Sequence, residues 1–210
     1  ANEAIFVAQN EKLVFTNPML TRLFGYSAAE LTAKPFIEFI YPDDKGLVID
    51  RHKRRLMGES LPPVYAFRVV RRDGAVRWVE LSAVLIEWEG RPATLNFLSD
   101  ITEHREAEQR VRQVAEEWQT TFDSISDMVS IQDRDYKIIR LNKAYADAVG
   151  LKIEDVIGKH CHEVVHNAAS HIINCPHHRT IETKKAMVEE VFEPRLGAYL
   201  EVSTSPIFDK

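Results

Sequence analysis

The sequence predicts an α+β protein made of two related domains, each an antiparallel sheet with helices on one face, joined by one long amphipathic helix. Two observations lead to this reading. The chain repeats itself: the run from Phe24 to Lys34 aligns with the run from Val149 to Lys159 at an offset of 125, which also pairs Asn17 with Asn142. Farther on, Trp78–Ser82 aligns with Tyr199–Ser203 at an offset of 121. Self-similarity at a fixed period is the mark of a duplicated unit. Between the copies lies Asp100–Ile125, dense in helix formers and free of Gly and Pro. The expected division is a first domain at 1–101, a connecting helix at 102–126 and a second domain at 127–210.

The first copy reads element by element. Ala4–Ala8 and Lys12–Thr16 are short apolar strands around the turn Gln9-Asn10-Glu11. Asn17 is placed as the N-cap of a helix running through Leu23, with Pro18 at the first helical position, where a missing N–H costs nothing. Gly25 ends it. Ser27 and Glu30 have the capping-box spacing. After Tyr41-Pro42-Asp43-Asp44 a helix is expected from Lys45 to Met57, stopped by Gly58. Three longer strands follow at Val64–Arg71, Val76–Trp88 and Ala93–Ser99, separated by turns at Arg72-Asp73-Gly74 and Glu89-Gly90. Strands, then helices, then a meander give an antiparallel sheet with its helices on one side.

In the connecting stretch the series Val111, Val114, Trp118, Thr121, Ile125 steps by 3, 4, 3 and 4, the period of a narrow coiled-coil seam. Charged residues of both signs fill the remaining faces. Val111, Val114, Trp118 and Ile125 are therefore expected to meet their symmetry mates in a parallel homodimer.

Composition narrows the function. A chain of 210 residues, 45% hydrophobic and 28% charged, holds two domains of ordinary globular character. The net charge of −5 comes with dispersed basic residues, which argues against a nucleic-acid partner. No apolar run approaches a membrane span, and no secretory signal is present, so a cytoplasmic location is expected. Ala1 leads almost at once into Ile5-Phe6-Val7, as an excised fragment would. No Ser/His/Asp arrangement, phosphate loop or Gly-rich fingerprint has the context that catalysis needs, and Asp43-Asp44 is explained by capping and the helix dipole. The fragment is therefore not expected to be an enzyme.

A family resemblance rests on particular residues. Tyr41-Pro42-Asp43-Asp44, Phe67-Arg68-Val69-Val70-Arg71-Arg72-Asp73-Gly74, Arg77-Trp78-Val79-Glu80 and Asp100-Ile101-Thr102-Glu103 together resemble a PAS domain with its trailing PAC segment. The Asp-Ile-Thr sequence is similar to the junction where such domains pass into a signalling helix. The second copy resembles a PAS domain through Asp127-Met128-Val129, Arg140-Leu141-Asn142-Lys143-Ala144-Tyr145 and the Gly158-Lys159 turn. The resemblance implies a five-stranded sheet in the order 2-1-5-4-3 in each domain, with a pocket between sheet and helices. It also implies a sensory and dimerisation module that binds a small ligand or cofactor and passes a signal along its helices. The receiver would be an effector downstream in the same parent chain, such as a histidine kinase of a two-component system, a diguanylate cyclase or a phosphodiesterase. A ligand-independent scaffold is the alternative. The second copy stops before a counterpart of Ala93–Ser99, so its final strand is expected to be missing, leaving the sheet distorted or the slot filled from elsewhere.

Each cofactor has to be argued from its residues. A cysteinyl-flavin photosensor is excluded from the first domain, because residues 1–99 contain no cysteine. A haem there would need His52; its neighbours Arg51, Lys53, Arg54 and Arg55 place it instead on a solvated helix face. Trp78 and Trp88 read as sheet or core residues. In the second domain, six of the eight histidines and both cysteines fall between His160 and His178. Cys161, His166, Cys175 and His178 have the spacing C-x4-H-x8-C-x2-H, four donors suited to zinc or another transition metal. The segment resembles PAS domains with a Cys, a following His and a later Cys-Pro-x-Cys-Pro turn, with His178 in place of the last cysteine. Three readings stay open: a metal or redox sensor, apolar packing or a Cys161–Cys175 bridge, and a haem role. A c-type haem is disfavoured because Cys-x-x-Cys-His does not occur.

Overall fold

The computed structural model describes residues 3–208 and divides into two compact units, the division falling between Arg112 and Gln113. In the first unit, β1 (Ala4–Gln9), β2 (Lys12–Thr16), β3 (Val64–Val70), β4 (Val76–Trp88) and β5 (Arg91–Asp100) form one antiparallel sheet in the order β2-β1-β5-β4-β3. The central register pairs Val7 with Leu95 and Leu81 with Leu98. Alternation puts Val79, Leu81 and Ala83 of β4 on the buried side. Against that side pack α1 (Pro18–Phe24), α2 (Ala28–Ala33) and α3 (Lys45–Leu56), through Leu20, Leu31 and Val48.

Local chemistry sets these boundaries as expected. The Asn17 side chain accepts from Leu20 N–H, and Gly25 closes α1 at φ 76° and ψ 11°, a left-handed conformation that glycine adopts without a Cβ clash. Ser27 and Glu30 complete a capping box.

Where β5 leaves the sheet, Thr102 holds the junction. Its Oγ1 accepts from Trp78 N–H at 2.9 Å and donates to Asp100 Oδ1 at 2.5 Å, while Ile101 N–H donates to Trp78 O at 2.9 Å. The Arg105 guanidinium lies 4.2 Å from the Trp78 ring centroid. The first turn of the following helix is thus fastened to β4. Thr102→Val keeps the shape but leaves the Trp78 N–H without its acceptor, an expected cost of about 1–2 kcal/mol. Amide exchange should quicken at Trp78 and along residues 103–106; unchanged rates there would contradict the fastening.

The connecting helix, α4 (Thr102–Ser124), spans 23 residues. Val111 and Val114 are 72% and 64% exposed, so this part of the seam is free. Trp118 and Ile125 are 40% and 39% exposed, and Ile125 lies just beyond the helix end with its carbonyl accepting from Asn142 Nδ2. Trp118 stacks on buried Phe122 at 4.8 Å and 19°, with the Arg140 guanidinium 4.6 Å from its ring centroid. Its ring is engaged within its own unit because helical spacing places residues i and i+4 on one face.

In the second unit the single sheet expected from the resemblance is divided. Strands β6 (Ser130–Gln132) and β7 (Ile138–Leu141) form one ladder, and β8 (Met187–Glu193) and β9 (Ala198–Thr204) another. In the order 2-1-5-4-3 a fifth strand would lie between β6 and β9, and no strand of the described residues fills that place. Helices α5 (Lys143–Val149), α6 (Ile153–Val156), α7 (Cys161–His166) and α8 (Pro176–Thr183) complete the unit. Its core gathers Ile138, Leu141, Tyr145, Val149, Val156, Cys161 and Val164. Arg195, in the β8–β9 turn, donates to the carbonyls of Val149 and Val164, and Thr180 Oγ1 meets Thr204 Oγ1 at 2.6 Å.

Candidate functional site

The first unit encloses a cavity of about 50 Å³ between its sheet and α3. Phe6, Leu20, Phe39, Phe67 and Leu98 supply apolar walls, and His52, Arg55 and Asn96 the polar points. Val48, His52 and Arg55 are the buried residues of α3, spaced by 4 and 3, so one helical stripe carries all three inward. This corrects the reading of His52 as solvated. It is 8% exposed and packs edge-on against Phe36 at 5.0 Å. The basic neighbours misled the sequence reading, since Lys53 and Arg54 do face solvent while Arg55 is itself 7% exposed.

Two of the polar points are satisfied. Arg55 Nη2 donates to Pro62 O at 3.3 Å, and Asn96 Nδ2 donates to Thr94 O at 2.8 Å. His52 Nε2 is buried with no hydrogen-bond partner. Burial, reinforced by Arg55 and Lys53 and opposed by Glu11, pushes the His52 pKa down, which favours the neutral ring. A neutral imidazole nitrogen beside an apolar cavity can donate or accept one hydrogen bond.

The second unit gathers its histidines around Tyr136. The Tyr136 ring lies 5.8–6.3 Å from those of His162, His171 and His178, and its hydroxyl meets His178 Nδ1 at 2.7 Å. His171 and His178 stack at 4.2 Å and 13°. Three residues of the expected ligand set have other surroundings or partners. Cys161 sits in the apolar core, where burial, with Cys175 adding to it, pushes its thiol up to about 12. His166 pairs through Nδ1 with Glu193, a carboxylate only 1% exposed. Cys175 is a buried free thiol at the N-cap of α8, and His178 also faces Glu182 at 3.4 Å. No Cys161–Cys175 bridge is formed. Among the described residues these four donors do not converge within 4.8 Å of one another.

Among the described residues, the group whose donor atoms do converge is His160, His162 and Glu163, all within 4.8 Å of one another. Sequence reasoning missed it because it weighed zinc-finger spacings and passed over three donors packed into four consecutive residues. Trp78 and Trp88 lie half-buried on the sheet, the latter 6.2 Å from Phe15, as expected.

The sheet order of the first unit and the paired ladders of the second find a match in known families: PAS-fold family models match residues 13–96 and residues 122–210. The chain belongs to the PAS fold family, as a tandem of two domains. No helix among the described residues is long and apolar enough to cross a membrane. Similar solved structures include a sensory box histidine kinase/response regulator from Burkholderia thailandensis E264, at 22% identity over 57% of this chain and 92% of that one, with a TM-score of 0.45. Another is a domain of the sensory box sensor histidine kinase/response regulator from Geobacter sulfurreducens, at 28% identity, 48% and 84% coverage and a TM-score of 0.41. A third is the N-terminal domain of a diguanylate cyclase with PAS/PAC sensor from Marinobacter aquaeolei, at 17% identity, 49% and 98% coverage and a TM-score of 0.42. No curated protein matches the chain.

Proposed function

We infer that the first PAS domain is the ligand-sensing half of the tandem, its cavity taking a small molecule with an apolar body and one hydrogen-bonding group aimed at His52. The supporting observation is the coincidence of an apolar-walled pocket lined by His52 with a buried nitrogen of that ring that lacks a partner. Buried polar groups are nearly always bonded, and apolar cavities of this kind hold small organic molecules. A volume of about 50 Å³ suits a ligand of a few heavy atoms, larger ones requiring side chains to move. Arg55 at the wall favours a carbonyl or carboxylate as the polar group.

The relay runs from β5 through Thr102 into α4, with Val111 and Val114 as contacts of a parallel homodimer in the cytoplasm, to an effector in the same parent chain. A histidine kinase fits the module best. The engagement of Trp118 within the second unit shifts the weight of the seam to the two valines.

The reading is tested by melting the chain in a panel of small carboxylic acids, amides and ketones at millimolar concentration. A binder at about 100-fold its Kd should add about 2.7 kcal/mol, several degrees in Tm, and His52→Leu should remove most of the shift. Deuterium uptake across residues 102–124 should change when the same compound is added. If no compound shifts the native chain while His52→Leu raises its Tm, the cavity is a packing defect and the domain a scaffold.

A further inference from the structure

We propose that His160, His162 and Glu163 form a site for a divalent transition-metal ion on the second PAS domain. The three side chains come from one turn. His160 is the N-cap residue of α7, and Glu163 stands at the third helical position, the two places whose side chains meet in a capping box. Here the N-cap side chain makes no capping bond, so both are free to turn toward each other, with His160 Nδ1 and Glu163 Oε1 3.4 Å apart. His162 completes the set by stacking on His160 at 5.1 Å and 22°.

The backbone beneath is held firmly. Glu163 N–H and Val164 N–H both donate to His160 O at 3.1 Å, and Cys161 N–H donates to Tyr136 O at 2.9 Å. Cys161 and Val164, packed in the core on either side, fix the rotation of the turn. Donors on a rigid support bind metal better than donors that must be ordered first.

A second observation comes from His162. It is only 7% exposed, yet its Nδ1 is buried without a hydrogen-bond partner. An ion pair between His160 and Glu163 would account for their contact and for nothing else. The His162 ring thus carries a nitrogen that no protein group occupies, beside two further ligand-type side chains. The N-terminal charge of α7 opposes a cation weakly, because the helix has six residues and the Glu163 carboxylate offsets it.

The donor set names the class of ion. Two imidazoles and one carboxylate suit Zn²⁺, Co²⁺, Ni²⁺ or Cu²⁺ and are poor for Mg²⁺ or Ca²⁺, which take oxygen ligands. Three protein donors leave at least one position for water or an outside ligand. Both buried thiols stand outside this set.

The experiment uses the whole chain purified without a histidine tag, stripped with chelator and titrated with Co²⁺ and Zn²⁺ by calorimetry and visible absorption. About one equivalent should bind, with cobalt d–d bands and no thiolate-to-cobalt charge-transfer band. His160→Asn and Glu163→Gln lie at accessible positions, so both variants should keep the native circular dichroism, and each should weaken binding by about tenfold or more. Cys175→Ala should leave the affinity unchanged. A charge-transfer band abolished by Cys175→Ala would assign the ion to the thiols and overturn the site. Binding below about a tenth of an equivalent, or affinity unchanged in both His160→Asn and Glu163→Gln, would overturn it as well.

Discussion

Replacing Asn142 with alanine is expected to cost the second domain about 2–4 kcal/mol. Asn142 has no solvent exposure, and its side chain makes four hydrogen bonds to backbone. Oδ1 accepts from Val129 N–H at 3.0 Å and from Tyr145 N–H at 3.1 Å. Nδ2 donates to Ile125 O at 3.1 Å and to Asp127 O at 2.8 Å. One amide therefore caps α5 and holds the chain that arrives from α4 against the start of β6. Losing an N-cap alone costs about 1 kcal/mol; the lost bonds to Val129 N–H and to the Ile125 and Asp127 carbonyls, part-buried and partly replaceable by water, add the rest.

Asn142→Asp separates geometry from chemistry. The shape is kept, but both oxygens now accept, and one faces the Ile125 and Asp127 carbonyls, so the loss should remain above about 2 kcal/mol at neutral pH. Asn17, its counterpart at the offset of 125, accepts from Ile5 N–H and Leu20 N–H and donates to Glu3 O from a less buried position. Asn17→Ala should cost about 1–2 kcal/mol, and only in the first domain. Urea unfolding followed by domain-resolved hydrogen exchange gives the measurement. Equal losses in the two alanine variants would show that the clamp has no special weight at the entry to the second domain.

That pairing of asparagines was legible because an N-cap is local: a residue type, a neighbouring proline or apolar run, and a glycine at the far end suffice. The strands of the first domain were legible for the same reason, each bounded by its own turn. His52 was harder because two local signals conflict on α3. The charges around it point outward, while the 4 and 3 spacing from Val48 to Arg55 points inward, and the core decides between them. The Cys/His segment was legible as a cluster and not as a geometry. Spacing counts residues between donors but not the rotation of a helix, and α7 turns Cys161 into the core with Val164 while leaving His160 and Glu163 at the rim. The divided second sheet depends on pairing between distant segments, which no local window contains.

Arg68 is expected to carry a pH-dependent share of the first domain's stability. Its guanidinium grips Asp44 at both carboxylate oxygens, Nε to Oδ2 at 3.0 Å and Nη2 to Oδ1 at 2.7 Å, and its backbone N–H adds a bond of 2.7 Å to Oδ2. The Tyr41 ring lies 4.1 Å from the guanidinium, and the Arg68 and Asp44 side chains are 27% and 15% exposed. The pair fixes the Pro42–Asp44 turn, and hence the entry to α3 and its cavity face, onto β3. The Arg68 side-chain hydrogen bonds, with its backbone bond and charge, hold the Asp44 carboxyl below its ordinary range against the opposing effect of burial. A depressed carboxylate pKa makes the folded chain bind fewer protons than the unfolded one between the two values. The stabilisation is therefore complete above the unfolded pKa, about 4, and is lost as pH falls through the folded one. Arg68→Ala should lower the urea midpoint at pH 7, and Arg68→Lys should lower it less, since lysine keeps the charge but loses the fork and the stack. The gap between native chain and Arg68→Ala should be narrower in acid, below the ordinary carboxylate range, than at pH 7. Urea midpoints at the two pH values decide it: a gap of constant width would mean that Arg68 acts through packing on Tyr41 and Trp78 rather than through the carboxylate.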